Sequence, residues 1–242
     1  MAVNPAWQES AAARYFLNDV RGAAAFAVEQ FAVMLELIAA SGGPVRRFLD
    51  LGCGDGALSA VLLGAYPGAE AVLADFSEPM LAAAATRLTG DPPPRFVLAD
   101  LATPDWQESI ALLAPIDAVV SGFAIHHLPD ERKRALYREI FGLLDPGGTF
   151  THIEHVAPEQ PWVSERFHTG IVDALHAFAT RRDPSATREA AAAAYAAWPD
   201  RELNILTPVD LQCAWLREIG FVDVVAPFRW YEIAVFGGHR PG

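Results

Sequence analysis

The sequence predicts an α/β fold, a parallel sheet with helices on both faces. Three observations predict it. Short apolar runs alternate with helix-period segments from Val45 to Val156. The first run, Val45 to Leu51, carries one acid, Asp50, and then breaks into Gly52, Gly54 and Gly56 at alternate positions. The first three runs each finish beside an acid: Asp50, Asp75 and Asp100.

Each element has its own signal. Residues 11–41 read as helical, with Phe16, Val20, Phe26, Phe31, Leu35 and Ile38 at near-helical intervals. Ser41-Gly42-Gly43-Pro44 stops that run. The first strand follows, then a helix over Ala57–Gly64 and a strand over Ala69–Ala74 ending at Asp75. Ser77 reads as an N-cap, with Glu78 and Pro79 opening a helix through Leu88. Asp91-Pro92-Pro93-Pro94 reads as a rigid turn. Phe96–Ala99 reads as a strand, Trp106–Leu113 as a helix and Ile116–Ser121 as a strand. Asp130–Leu144 is strongly periodic and stops at Asp145-Pro146-Gly147-Gly148, before a fifth strand over Thr149–Val156.

The alternation ends after Pro158. Residues 159–205 hold helical or irregular material, including the helix-forming run Ala190–Ala194. That is too long for a simple loop and reads as a helical lid over the strand ends. Thr207 as N-cap and Pro208 at the first turn open a helix to Glu218, stopped by Gly220. Phe221–Ala226 and Trp230–Phe236 flank Pro227-Phe228-Arg229 as a terminal hairpin would. Four units result: a helical cap over 1–43, a core over 44–158, a lid over 159–206 and a completing segment over 207–242.

Composition limits the function classes. The chain of 242 residues is 52% hydrophobic, enough for one full core. Acids outnumber bases 30 to 18, for a net charge of −12. Such a balance disfavours a large nucleic-acid partner, which needs basic surface to displace phosphate counterions. The densest basic cluster, Arg132-Lys133-Arg134, follows two acids in a helical pattern and reads as a solvated face. Two cysteines, Cys53 and Cys213, make no disulfide framework. No apolar run reaches the ~18 residues of a membrane span, and no secretory signal is evident. A cytoplasmic protein without membrane partners is the expectation.

The glycine spacing separates two kinds of nucleotide site. The dinucleotide fingerprint is Gly-x-Gly-x-x-Gly. Here it is Asp-x-Gly-x-Gly-x-Gly, and a carboxylate repels a diphosphate but suits an ammonium or sulfonium. At this point FLDLGCGDG resembles the class I S-adenosylmethionine-dependent methyltransferases. The resemblance implies a Rossmann-like seven-stranded sheet ordered 3-2-1-4-5-7-6, with strand 7 antiparallel. It implies that Asp50, Gly52, Cys53, Gly54 and Gly56 line the methionine end of the cofactor. Asp75 resembles the acid that accepts from both ribose hydroxyls, with Phe76 and Met80 flanking the adenine. Asp100 resembles the acceptor for the adenine amine, with the Leu101 backbone nearby. Ser121 ends the fourth strand at the same edge. S-adenosylmethionine is the implied cofactor and S-adenosylhomocysteine its product.

Methyl transfer from a sulfonium needs little beyond positioning and removal of a proton. The acceptor should enter past the fourth and fifth strands. His126 and His155 are the candidate bases there, because histidine titrates near neutrality. His127 reads as a packing residue. Alternation places His152 and Glu154 on one face of the fifth strand and Ile153 and His155 on the other. Tyr15, Glu154, His168 and Trp230 are the candidate acceptor contacts, with Arg14 and Arg21 near Tyr15. The histidines with Glu154 raise a metal site as a lesser alternative, but no compact metal motif is present and no metal ligands are assigned.

A small-molecule methyltransferase is the leading reading: transfer to O or N, or to C, of an aromatic or amphipathic metabolite. The layout also resembles transferases acting on the wobble uridine of tRNA, some of which use a carboxylated cofactor. A non-catalytic cofactor-binding partner protein is the third reading.

Overall fold

The computed structural model describes residues 25–110, 113–198 and 203–242. Phe16, Val20, Arg14, Tyr15 and Arg21 fall outside them, and with them most of the expected helical cap. Among the described residues the chain runs α1 (Ala27–Ala40), β1 (Arg47–Leu51), α2 (Ala57–Ala65), β2 (Glu70–Asp75), α3 (Glu78–Arg87), β3 (Arg95–Leu98), β4 (Ile116–Gly122), α4 (Asp130–Leu143), β5 (Leu144–His155), α5 (Pro161–Thr180), α6 (Arg188–Ala196), α7 (Val209–Ile219), β6 (Val222–Trp230) and β7 (Ile233–His239).

The strands form one seven-stranded sheet in the order β3-β2-β1-β4-β5-β7-β6. The first five pair in parallel, and β7 is antiparallel to both β5 and β6. Central strands are buried on both faces, which is why they read as near-continuous apolar runs. Successive residues still choose opposite sides. Leu49 and Leu51 pack with Tyr137, Trp215 and Leu216 on the α4–α7 side. Phe48 packs with Met34, Ile38 and Leu62 on the α1–α2 side.

Four expectations need correction. Residues 104–107 form a single 3-10 turn, and no α-helix follows over the described part of Trp106–Leu113. The buried Trp106 indole donates to Glu139, so the turn is set by one anchored ring rather than by periodicity. Asp145-Pro146-Gly147-Gly148 lies inside β5, where the register with β4 slips between Ile116 and Ala118 and Gly147 takes φ +82°. The extra residues are absorbed as a bulge, so β5 starts earlier than expected. The hairpin turns at Tyr231-Glu232, and Pro227 sits within edge strand β6, where a missing N–H is tolerated. Pro208, not Thr207, is the N-cap of α7. The Thr207 hydroxyl instead donates to Asp130 and accepts from Lys133.

The α5–α6 pair is inserted between β5 and α7 and carries a small core of its own: Val172, Ala191 and Tyr195. It is seated on the hairpin through a notch. A Cβ at Gly170 would lie 2.7 Å from the Trp230 ring, so glycine is what lets the indole lie against α5. Gly170→Val is therefore expected to lift α5 off Trp230. We expect a loss of about 1–3 kcal/mol in denaturant unfolding, with weakened near-ultraviolet tryptophan dichroism. A variant with unchanged dichroism would show that the notch does not seat the helix.

Candidate active site

The glycine loop after β1 is clamped onto the end of β2. Gly52 and Cys53 donate to the Ala74 carbonyl at 2.8 and 3.1 Å, and the Gly54 N–H donates to Asp75 Oδ2 at 2.8 Å. Gly52, Gly54 and Gly56 all take positive φ, from +53° to +77°, as a turn this sharp requires. A Cβ at Gly54 would meet nothing within 4 Å, so the loop presents bare backbone to open space. A Cβ at Gly52 would come within 2.2 Å of the Ala124 Cβ. The missing side chain thus lets the loop after β4 pack directly onto the glycine loop.

The three acids sit in different surroundings. Asp50 is 1% exposed and receives the Ser59 hydroxyl on Oδ2 at 2.7 Å, while Oδ1 is buried with no partner. Burial pushes its pKa up to about 7, against the opposing Ser59 bonds. Asp75 accepts Gly54 N–H on one oxygen and Ser77 N–H on the other, each at 2.8 Å, and burial raises its pKa despite these bonds. Each oxygen retains a further lone pair. Asp100 is half-buried and caps its own turn by accepting from Ala102 N–H at 2.9 Å. Phe76 and Met80 stand at the start of α3, Met80 buried and Phe76 half-buried. The Leu101 carbonyl is taken by Arg132 at 2.7 Å. The Ser121 hydroxyl donates to the Leu51 carbonyl at 2.8 Å inside the sheet, so it ties β4 to β1 rather than facing a ligand. The Cys53 thiol is buried, and its pKa is pushed up by burial and by Asp50 and Asp75.

These residues fit an S-adenosylmethionine molecule. An unpartnered buried carboxylate oxygen beside the loop suits a cationic group, and the open backbone at Gly54 admits close approach.

At the ends of β4 and β5 two carboxylate–histidine pairs meet. Glu154, 1% exposed, receives four groups. They are His126 N–H at 2.9 Å, His126 Nδ1 at 2.5 Å, His155 N–H at 2.7 Å and His152 Nε2 at 2.8 Å. The His152 approach is an ion-pair distance outside hydrogen-bond geometry. Burial would raise the Glu154 carboxyl, but the charges and bonds of His126 and His152 win and hold it well below the usual range. The sequence led us to expect Glu154 as an acceptor contact; its buried carboxylate is instead taken up by His126, His152 and the His155 N–H. An ionised carboxylate accepts only, so His126 keeps a proton on Nδ1, and Nε2 is the ring nitrogen left to exchange one. His127, against His126 at 4.1 Å between ring centres, is pushed down to about 3 by burial and then by His126, which leaves it no useful basicity.

The second pair is His155 Nε2 with Glu232 at 2.8 Å. Ser164 of α5 also donates to Glu232. Burial opposes ionisation of Glu232, but His155, Ser164 and the charge of His168 together lower its pKa. The His155 and His126 rings are 5.7 Å apart, edge to face. His168 lies beside Tyr195, 5.8 Å between centres. Trp230 packs with Phe26, Phe167 and Tyr231. Tyr15 is outside the described residues. Sequence reasoning missed Glu232 as a partner of His155. A lone acid inside the apolar stretch WYEIAVF was its available signal. Among the described residues no three His, Cys, Asp or Glu side chains are placed to hold a metal ion, and no helix is long and apolar enough to cross a membrane.

Comparison with known proteins places the chain in a family. A methyltransferase-domain profile matches residues 49–150. Trans-aconitate 2-methyltransferase of Variovorax paradoxus is 33% identical over 216 residues, 76% of this chain and 80% of that protein. An uncharacterized methyltransferase of Mycobacterium tuberculosis is 42% identical over 110 residues, but these cover 46% of this chain and 51% of that protein. The chain thus matches about half the length of that relative. Human N-acetylserotonin methyltransferase, solved with S-adenosylmethionine, superposes with a TM-score of 0.61 at 14% identity, over 98% of this chain and 58% of that one. The chain belongs to the class I S-adenosylmethionine-dependent methyltransferases.

Proposed function

We propose that this protein transfers a methyl group from S-adenosylmethionine to an oxygen or nitrogen of a small aromatic or amphipathic metabolite, with His126 as the general base. The observation that carries the reading is the seating of the His126 loop. Ala124, two residues before His126, packs on Gly52, and Glu154 orients the His126 imidazole.

The cofactor supplies a methyl group already activated on a sulfonium. Asp50 and the glycine loop hold the cationic end, Asp75 the ribose, and Asp100 with the Leu101 N–H the adenine edge. Phe76 and Met80 flank the ring. His126 Nε2 takes the O–H or N–H proton of the acceptor as that atom gains its methyl, and Glu154 stabilises the resulting imidazolium. Phe167 and Trp230, continuous with His155, offer flat apolar walls for the acceptor body. The α5–α6 pair serves as the lid that carries one of those walls.

The test is in two parts. Calorimetric titration with S-adenosylhomocysteine should show binding at one site per chain. Incubation of S-adenosylmethionine with a panel of planar phenols and amines should release S-adenosylhomocysteine only when a suitable acceptor is present. Absent binding would overturn the cofactor reading. Binding without turnover across the panel would favour a non-catalytic partner protein.

A further inference from the structure

His152 is not used in the reaction above, yet it is fully buried and faces the same carboxylate as His126. Its protonation follows from the direction of a hydrogen-bond chain. The chain ends on the backbone carbonyl of Thr207, which can only accept. Gln212 Nε2 donates to it at 2.9 Å, which fixes the amide and turns Gln212 Oε1 toward Tyr137. The Tyr137 hydroxyl must then donate to Oε1, at 2.5 Å. Its single proton is used there, so only a lone pair faces His152 Nδ1 at 3.4 Å. On the other side, Nε2 faces ionised Glu154 at 2.8 Å. Nδ1 thus meets an acceptor, and Nε2 meets a carboxylate oxygen at ion-pair distance. A neutral ring would set a lone pair against a lone pair on one side. Flipping Gln212 would relieve Tyr137 only by setting Oε1 against the Thr207 carbonyl.

We infer that His152 is a buried imidazolium that neutralises Glu154 and so keeps His126 neutral and free to accept a proton; it is a positioning residue for the base. The inference rests on the reading of His126 as that base. A buried carboxylate needs a cation. If His126 alone met that need, its ring would stay charged and could not act. His152 meets it from the interior, where Tyr137 is at 0% and Gln212 and Thr207 at 1% exposure. Among the described residues the other titratable groups near the cluster are His127 and His155 beside His126, and Cys213, Lys133 and Asp130 beyond Tyr137. Lys133 is already bound to Asp130, Thr207 and the Ile205 carbonyl, so it does not compete for Glu154.

The experiment is nitrogen-15 NMR of the histidine rings in the full ligand-free chain, wild type beside His152→Gln and Tyr137→Phe. At pH 7 wild-type His152 should show protons on both ring nitrogens. His152→Gln keeps a donor toward Glu154 but removes the charge. The His126 midpoint should then rise by about one pH unit, because a like charge has been removed from beside it. Tyr137→Phe takes away the acceptor at Nδ1 and should move it the same way by less. The acidic limb of kcat should follow these shifts, with KM for S-adenosylmethionine unchanged. A wild-type His152 with one bare ring nitrogen, or an unmoved His126 midpoint in His152→Gln, would overturn the inference. If His152→Gln does not fold, the wild-type spectrum and Tyr137→Phe decide. If the ring spectra come out as expected but no variant nor wild type turns over, the catalytic reading fails and the assignment of His152 stands.

Discussion

Asp50→Asn is expected to stabilise the ligand-free protein at neutral pH and to weaken S-adenosylmethionine binding at least about tenfold. Asp50 is buried, one oxygen has no partner, and its pKa is raised to about 7 from an ordinary value of 3.8. The sign follows from which state holds the proton. Below about pH 4 folded and unfolded chains both carry it. Between there and pH 7 only the folded chain does, so stability falls as pH rises, and it levels off above 7. The full loss is up to about 4 kcal/mol, since each tenfold difference in proton affinity between the two states is worth about 1.4 kcal/mol. Asparagine has no proton to lose, so the variant escapes this penalty. The stability gap between variant and wild type should be small at pH 4.5 and largest at pH 7.5, measured by denaturant unfolding. Other titrating groups, Glu154 among them, are common to both proteins and cancel in the difference. A bound cation reverses the balance by favouring the ionised carboxylate. Cofactor binding to wild type below pH 7 should therefore release a proton, read as buffer-dependent binding heat, and Asp50→Asn should abolish that release. A gap equal at both pH values would mean that Asp50 is not an uncompensated buried acid.

The contrast between Asp50 and Glu154 marks where the sequence could be read and where it could not. Asp50, Asp75 and Asp100 each close a short apolar run, and parallel pairing carries such ends to one edge. The strand ends at that edge are therefore local signals repeated, while the strand order comes from the resemblance that the glycine strip carries. The acceptor side depends on side chains far apart in the chain. His126 meets Glu154 across 28 positions, Ser164 meets Glu232 across 68, and Tyr137 meets Gln212 across 75. Alternation correctly set His152 and Glu154 on one face, but it cannot say that His126 closes over that face and hides the carboxylate. The hairpin shows the same limit. Pro227 reads as a turn because proline breaks ladders, and only its place on an edge strand removes the objection.

His126→Ala should separate chemistry from binding. The imidazole is the proposed base and is one of four groups around Glu154. Loss of a positioned base lowers kcat by about 10²–10⁴-fold. In the proposed reading S-adenosylmethionine is held by the glycine loop and the three acids, so its dissociation constant should change by no more than about threefold. Glu154 keeps His152 and the His155 N–H, so the cost in stability should stay near about 1–2 kcal/mol. The acidic limb of the wild-type pH–rate profile reports a base that must be unprotonated, and that limb should vanish in the variant. Its residual rate should rise with the acidity of the acceptor, because a phenol ionised in solution no longer needs the imidazole. Asp50→Asn should show the opposite pattern, weak cofactor binding with the pH limb intact. Should His126→Ala retain kcat and the limb, the acceptor would be an already ionised group such as a carboxylate. The Glu154–His126 pair would then serve to hold the β4 and β5 ends together rather than to move a proton.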